Sequence, residues 1–136
     1  MLLVTAGIGL AQEATISKVV KVAAAEQSQP LSATHARMTQ FYDDDPFRGE
    51  TFEVYWSASA PGLAPGATVI FEYVPQTAPG VHALHIQYDF KTVGGRKTVF
   101  TIPEKDFREG GNVKAWRARI IRAGRLLAEQ ASANWK

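Results

Sequence analysis

The 136-residue chain contains no cysteine. That excludes disulfides, thiolate nucleophiles and cysteine-bound zinc, and it removes the lipid anchor that requires a Cys at the processing site. Histidine is scarce too, at three residues. His82 and His85 stand three apart, so a strand would send them to opposite faces and deny them a shared metal; His35 lies far away in sequence. No apolar run approaches the roughly 20 residues of a membrane span. The G-x-S-x-G, H-E-x-x-H, P-loop and dinucleotide patterns are all missing. No catalytic residue, metal or cofactor is therefore expected.

The composition that remains is ordinary for a globular domain, with 46% hydrophobic and 21% charged residues, enough to bury roughly two thirds of the unfolded surface. The first 14 residues, MLLVTAGIGLAQEA, open with an apolar run and then small residues. Residues 1–11 read as a secretory signal segment lacking its basic start, with Gly9 and Ala11 meeting the small-x-small rule and Gln12 as the first mature residue. Residues 12–136 are then one domain, secreted or periplasmic, which disfavours nucleic acid as a partner. Charge is split along the chain: residues 1–90 hold 4 Lys and Arg against 9 Asp and Glu, residues 91–136 hold 11 against 4. Interleaved strands would let the halves neutralise each other; otherwise one face is basic.

Period-two alternation decides the class. In ETFEVYWSA, Phe52, Val54, Trp56 and Ala58 fall on one side of an extended chain and Thr51, Glu53, Tyr55 and Ser57 on the other. HALHIQYDF sets Leu84, Ile86, Tyr88 and Phe90 against Ala83, His85, Gln87 and Asp89. TVIFEYV, bounded by the turns LAPGA and PQTAPG, and RKTVFTI, entered through a Gly94-Gly95 turn, supply two more strands. Before Phe41 the signal weakens: ATISKVVKVAA offers Ile16, Val20 and Val22 as a first strand, and SATHARMTQFY a second.

The C-terminal segment folds back as a hairpin. Arg122-Ala123-Gly124 suits a three-residue loop with Gly in the left-handed position, pairing Ile120 with Leu126, Ala118 with Ala128 and Arg117 with Glu129. A two-residue loop would set Glu129 opposite Ala118 on the apolar side, and an unpaired buried carboxylate costs several kcal/mol. Trp116, Ala118, Ile120, Leu126 and Ala128 are then expected inside, with Arg117, Arg119, Leu127 and Glu129 outside.

Seven or eight short strands separated by turns imply an all-β antiparallel sandwich. The order of features from Glu50 to Trp135 resembles an immunoglobulin-like or fibronectin type III-like sandwich: a core Trp56 on an early strand, an apolar-Pro corner in TIPEKDF and a long final hairpin. The likeness covers about the last two thirds of the chain. It departs from the antibody pattern in lacking the inter-sheet cysteines, and Phe107 stands near the position of a corner tyrosine, so that hydroxyl bond cannot form.

Three features carry chemistry. Asp43, Asp44 and Asp45 are contiguous, without the alternating spacing or distant Glu of a calcium loop, and Asp-Pro initiates turns; a solvated turn is the expectation. Of the aromatics, alternation sends Trp56 and Trp116 inward and leaves Tyr55 and Trp135 as exposed platforms. Arg117, Arg119, Arg122 and Arg125 lie on and around one hairpin, where guanidinium groups at alternating positions point the same way. The sequence thus predicts a non-catalytic exported domain that contacts a protein or envelope polymer, an acidic one where the arginines meet it. The alternative is a carbohydrate- or polyanion-binding module built on Arg117, Arg119 and an exposed aromatic.

Overall fold

In the computed structural model, which describes residues 12–22 and 50–136, the alternation in ETFEVYWSA becomes the middle strand of a sheet. The elements in chain order are β1 (Ala14–Val22), β2 (Thr51–Leu63), β3 (Ala67–Pro75), β4 (His82–Tyr88), β5 (Thr92–Thr101), a short helix α1 (Glu104–Gly110), β6 (Val113–Arg122) and β7 (Arg125–Ala131). They form two antiparallel sheets, ordered β1-β2-β5 and β4-β3-β6-β7. The expected Asp43 to Asp45 turn, His35, the second strand before Phe41 and the signal segment lie outside the described residues.

The all-β sandwich follows from which faces are apolar. Phe52, Val54, Trp56 and Ala58 of β2 face Val69, Phe71 and Tyr73 of β3, each at most 2% exposed. Phe71 is the hub, with ring centroids 4.8 Å from Phe52, 5.6 Å from Phe100 and 6.2 Å from Trp116. Each such buried ring or branched chain contributes about 1.5–3 kcal/mol. Two polar side chains that enter this core are paired through Thr98: Trp56 Nε1 donates to Thr98 Oγ1 at 2.9 Å, and the Tyr88 and Thr98 hydroxyls bond at 2.6 Å, whereas the buried Thr92 hydroxyl has no partner among the described residues.

Two local expectations need correction in the three-stranded sheet. Gly94 and Gly95 do not make a turn but lie inside β5, opposite Ala58 and Ser57. In β1, a bulge at Ser17 shifts the register between Ile16 and Lys18. The bulge turns Val19, rather than Val20 or Val22, onto the core beside Ile16.

The hairpin combines both loops considered for it. Its turn has two residues, Ala123 and Gly124, with φ of 54° and 76° as a two-residue primed turn requires. A bulge then leaves Leu127 without a cross-strand partner, so Ile121 pairs with Leu126 but Ile120 pairs with Ala128 and Arg119 with Glu129. Glu129 stays outside, as the cost of burying a carboxylate demands, but the bulge achieves this instead of a longer loop. The two leucines exchange places: Leu127 packs on the core, whereas Leu126 is 48% exposed. Trp116 is half-buried against the core and Ala118 and Ile120 are fully buried, as expected.

Helix α1 was not legible, since seven residues hold no helical period. Pro103 precedes it, Glu104 and Asp106 occupy its first turn and Arg108 its last, all favourable to the helix dipole. Phe107 pins it to the core. Gly110 passes so close to β3 that an added Cβ would lie 2.5 Å from Pro75 Cβ. The split charge neutralises itself across strands, with Glu13 on Arg125, Glu53 on Lys97 and Glu72 on Arg117.

Candidate functional site

The outward face of the four-stranded sheet brings together Arg117, Arg119, Glu72, Glu129 and Trp135. Cross-strand register sets Glu72 of β3 beside Arg117 of β6, and Glu129 of β7 beside Arg119. Arg117 Nε donates to Glu72 Oε1 at 2.7 Å, while Nη1 lies 3.7 Å from Glu129 Oε2. Arg119 Nη1 is 3.8 Å from the same Glu72 oxygen. One carboxylate is thus shared by two guanidinium groups. The Glu72 hydrogen bond holds the Arg117 proton more firmly than usual, against a smaller desolvation effect.

Trp135 reaches this face because the chain end folds back along β6. Ser132 N donates to Trp116 O at 2.9 Å, Asn134 Nδ2 to Lys114 O at 2.8 Å, and Trp135 N to Ser132 O at 3.0 Å. The Arg117 guanidinium carbon then sits 4.9 Å from the Trp135 ring centroid, within cation–π range. The result is a fixed lattice of both charge signs with an aromatic on it.

The other residues singled out from the sequence do not join it. Arg122 Nε donates to the Ala64 carbonyl at 3.0 Å, and Arg125 Nη2 reaches both Glu13 carboxylate oxygens at 3.1 and 3.3 Å. The four arginines therefore do not form one stripe. Tyr55 lies on the outward face of the opposite sheet, so it and Trp135 cannot share a platform. Lys18 and Lys97 flank Tyr55 directly across the strands, with ammonium groups 4.8 and 5.9 Å from its ring centroid. Its hydroxyl donates to Glu53 Oε1 at 2.8 Å, a bond that raises the Tyr55 pKa.

A second constellation was missed from the sequence. The buried Tyr73 of β3 sends its hydroxyl to Asp106 Oδ2 of α1 at 2.7 Å, and His82 of β4 stacks on the Tyr73 ring at 5.3 Å with its Nδ1 3.8 Å from the same oxygen. Burial first, then the carboxylate, push the Tyr73 pKa far above the usual phenol range. The hydroxyl is a permanent donor and acts as a structural tie. Glu50 ties the same end together: it is 8% exposed, accepts from Val113 N at 2.7 Å and pairs with Lys21 at 3.1 Å. Among the described residues no three His, Asp or Glu side chains gather as a metal site, and no helix is long and apolar enough to cross a membrane.

No protein-family model and no curated protein matches this chain. A crystal structure from Akkermansia muciniphila is similar in fold, with a TM-score of 0.58 and 13% identity over 91% of this chain and 71% of that one. At that identity the likeness speaks for the β-sandwich fold alone.

Proposed function

We propose that this chain is a non-catalytic, exported β-sandwich of the immunoglobulin-like or fibronectin type III-like kind, working by surface contact with a protein or a cell-envelope polymer. The strand order supports the type. Lettered A, B, C, C′, E, F and G along the chain, the strands group as A-B-E and C′-C-F-G, close to the antibody constant arrangement with one strand moved between sheets.

The observation that carries the contact reading is Glu72 holding Arg117 beneath Trp135. Arg and Trp are the side chains most enriched where binding energy concentrates, and these are already ordered by in-sheet partners, so a partner need not pay to immobilise them. In the cells that produce the protein, Trp135→Ala and Arg117→Ala should each weaken its retention on the envelope fraction about tenfold while leaving the melting curve cooperative. Equal retention of all three proteins would reject this face. Export is tested separately: the mature protein should begin at Gln12, and cytoplasmic protein retaining Met1 would end that part of the reading.

A polyanion-binding reading is favoured by a different feature, the Lys18-Tyr55-Lys97 row. Here two ammonium groups flank an aromatic, Lys97 with Glu53 at 3.6 Å, whereas an anion at Arg117 has to displace the closer, 2.7 Å bond to Glu72. Salt-sensitive retention on an acidic polysaccharide column, lost in Lys18→Ala/Lys97→Ala, is its signature.

A further inference from the structure

Among the described residues the sandwich has four edge strands, β1, β5, β4 and β7, which are not equally protected against the addition of another strand. β1 carries the bulge at Ser17, β7 runs beside β1 with Arg125 on Glu13, and β5 presents Arg96 and Lys97. β4 has none of these devices. Its sequence, HALHIQY, holds no Lys, Arg, Asp, Glu or Pro, and it pairs with β3 in unbroken register along its length. Large exposed apolar side chains collect here as well: Val81 before β4, Ile86 within it, Phe90 after it and Val93 at the start of β5.

Arg96 stands at this margin with its guanidinium over aromatic rings. Arg96 lies opposite Trp56 and reaches from β5 toward β4, its guanidinium carbon 5.0 Å from the Tyr88 ring centroid and 5.2 Å from that of Phe90. The two rings meet edge to face at 5.7 Å. Among the described residues every other arginine has an acceptor in the chain: Glu104 for Arg108, Glu72 for Arg117 and Arg119, the Ala64 carbonyl for Arg122 and Glu13 for Arg125. Arg96 has none among the described residues, and its Nε, like that of Arg119, is buried without a hydrogen-bond partner. A guanidinium over aromatic rings keeps its charge, and its terminal nitrogens, which are not among the buried unpartnered atoms, are the groups that can receive a carboxylate.

We propose that the β4 edge takes up an extended acidic segment of a partner protein as an added strand, with a Glu or Asp side chain of that segment on Arg96 and its apolar side chains on Phe90, Ile86 and Val93. Backbone groups of β4 supply sequence-independent affinity, and Arg96 selects the acidic residue at the Tyr88 end of the strand. This site is separate from the Arg117 face.

The probe is a set of eight-residue peptides alternating Val and Thr, with one Glu scanned through the Val positions and a Gln counterpart for each. The expected result is that one Glu peptide binds, slows hydrogen exchange at every second amide of β4, and binds at least tenfold more weakly when its Glu is Gln. In Arg96→Gln the Glu and Gln peptides should bind alike, and in Trp135→Ala binding should be unchanged. Fluorescence melts establish that Arg96→Gln is folded; Arg96→Lys, which keeps the charge but loses the fork, should recover only part of the Glu preference. Absence of binding by every peptide, β4 protection indifferent to Glu or to Arg96, or β4 amides already protected by self-association in sedimentation runs would each overturn the proposal.

Discussion

Tyr73 donates its hydroxyl to Asp106 across 33 residues of sequence, at 2.7 Å, and thereby fastens the short helix to the sheet. Tyr73→Phe removes that bond and leaves the ring packing intact; it should cost about 1–2 kcal/mol, the usual contribution of a hydrogen bond to a charged group at a partly exposed site. Chemical denaturation of the two proteins measures it.

Burial of the same tyrosine, with its bond to Asp106, sets a pH dependence. The folded pKa of Tyr73 is raised above its unfolded value of 10.0, so its contribution is complete below pH 10 and is lost as pH rises toward the folded value. Stability should fall above pH 10 in the original protein, and less steeply in Tyr73→Phe. Equal slopes in alkaline melts would show that Tyr73 ionises freely.

The Arg117–Glu72 pair is mostly covered, with side chains 24% and 17% exposed. It falls between the exposed limit of under about 1 kcal/mol and the buried limit of about 3–5 kcal/mol for breaking a pair. Arg117→Ala should cost about 1–2 kcal/mol, and a double-mutant cycle with Glu72→Gln should return a coupling of about 1 kcal/mol.

The hairpin bulge gives a prediction in which neighbours differ. Leu127→Ala removes a chain that packs on the core and should cost about 2 kcal/mol, whereas Leu126→Ala, at a half-exposed position, should stay within about 0.5 kcal/mol. A three-residue loop without the bulge requires the reverse order.

These leucines mark the limit of what sequence reveals. β2 and β3 were legible because one of their faces is wholly buried and each side chain therefore has to obey the period of two. The bulge at Ser17 inverts the residues beyond it and that at Leu127 exchanges the two leucines, and their positions depend on partner strands, not on local composition. The acidic partners of the arginines were hidden for the same reason: Glu72 lies 45 residues from Arg117, and only the β3–β6 register joins them. Arg96 was likewise unremarkable until its strand stood beside Tyr88 and Phe90. Trp135 was legible as an exposed aromatic, but the Ser132 and Asn134 bonds that fold it onto Arg117 were not.

The contact reading is tested most directly by site-specific photo-crosslinking in the producing cells, with the reactive residue placed in turn at Ala131, Ala133, Tyr55 and Lys105. The account predicts one discrete adduct from Ala131 and Ala133, beside Arg117 and Trp135, and none from Tyr55 on the opposite sheet or Lys105 on the helix. Adducts of equal yield at all four positions, or from Tyr55 alone, would contradict it.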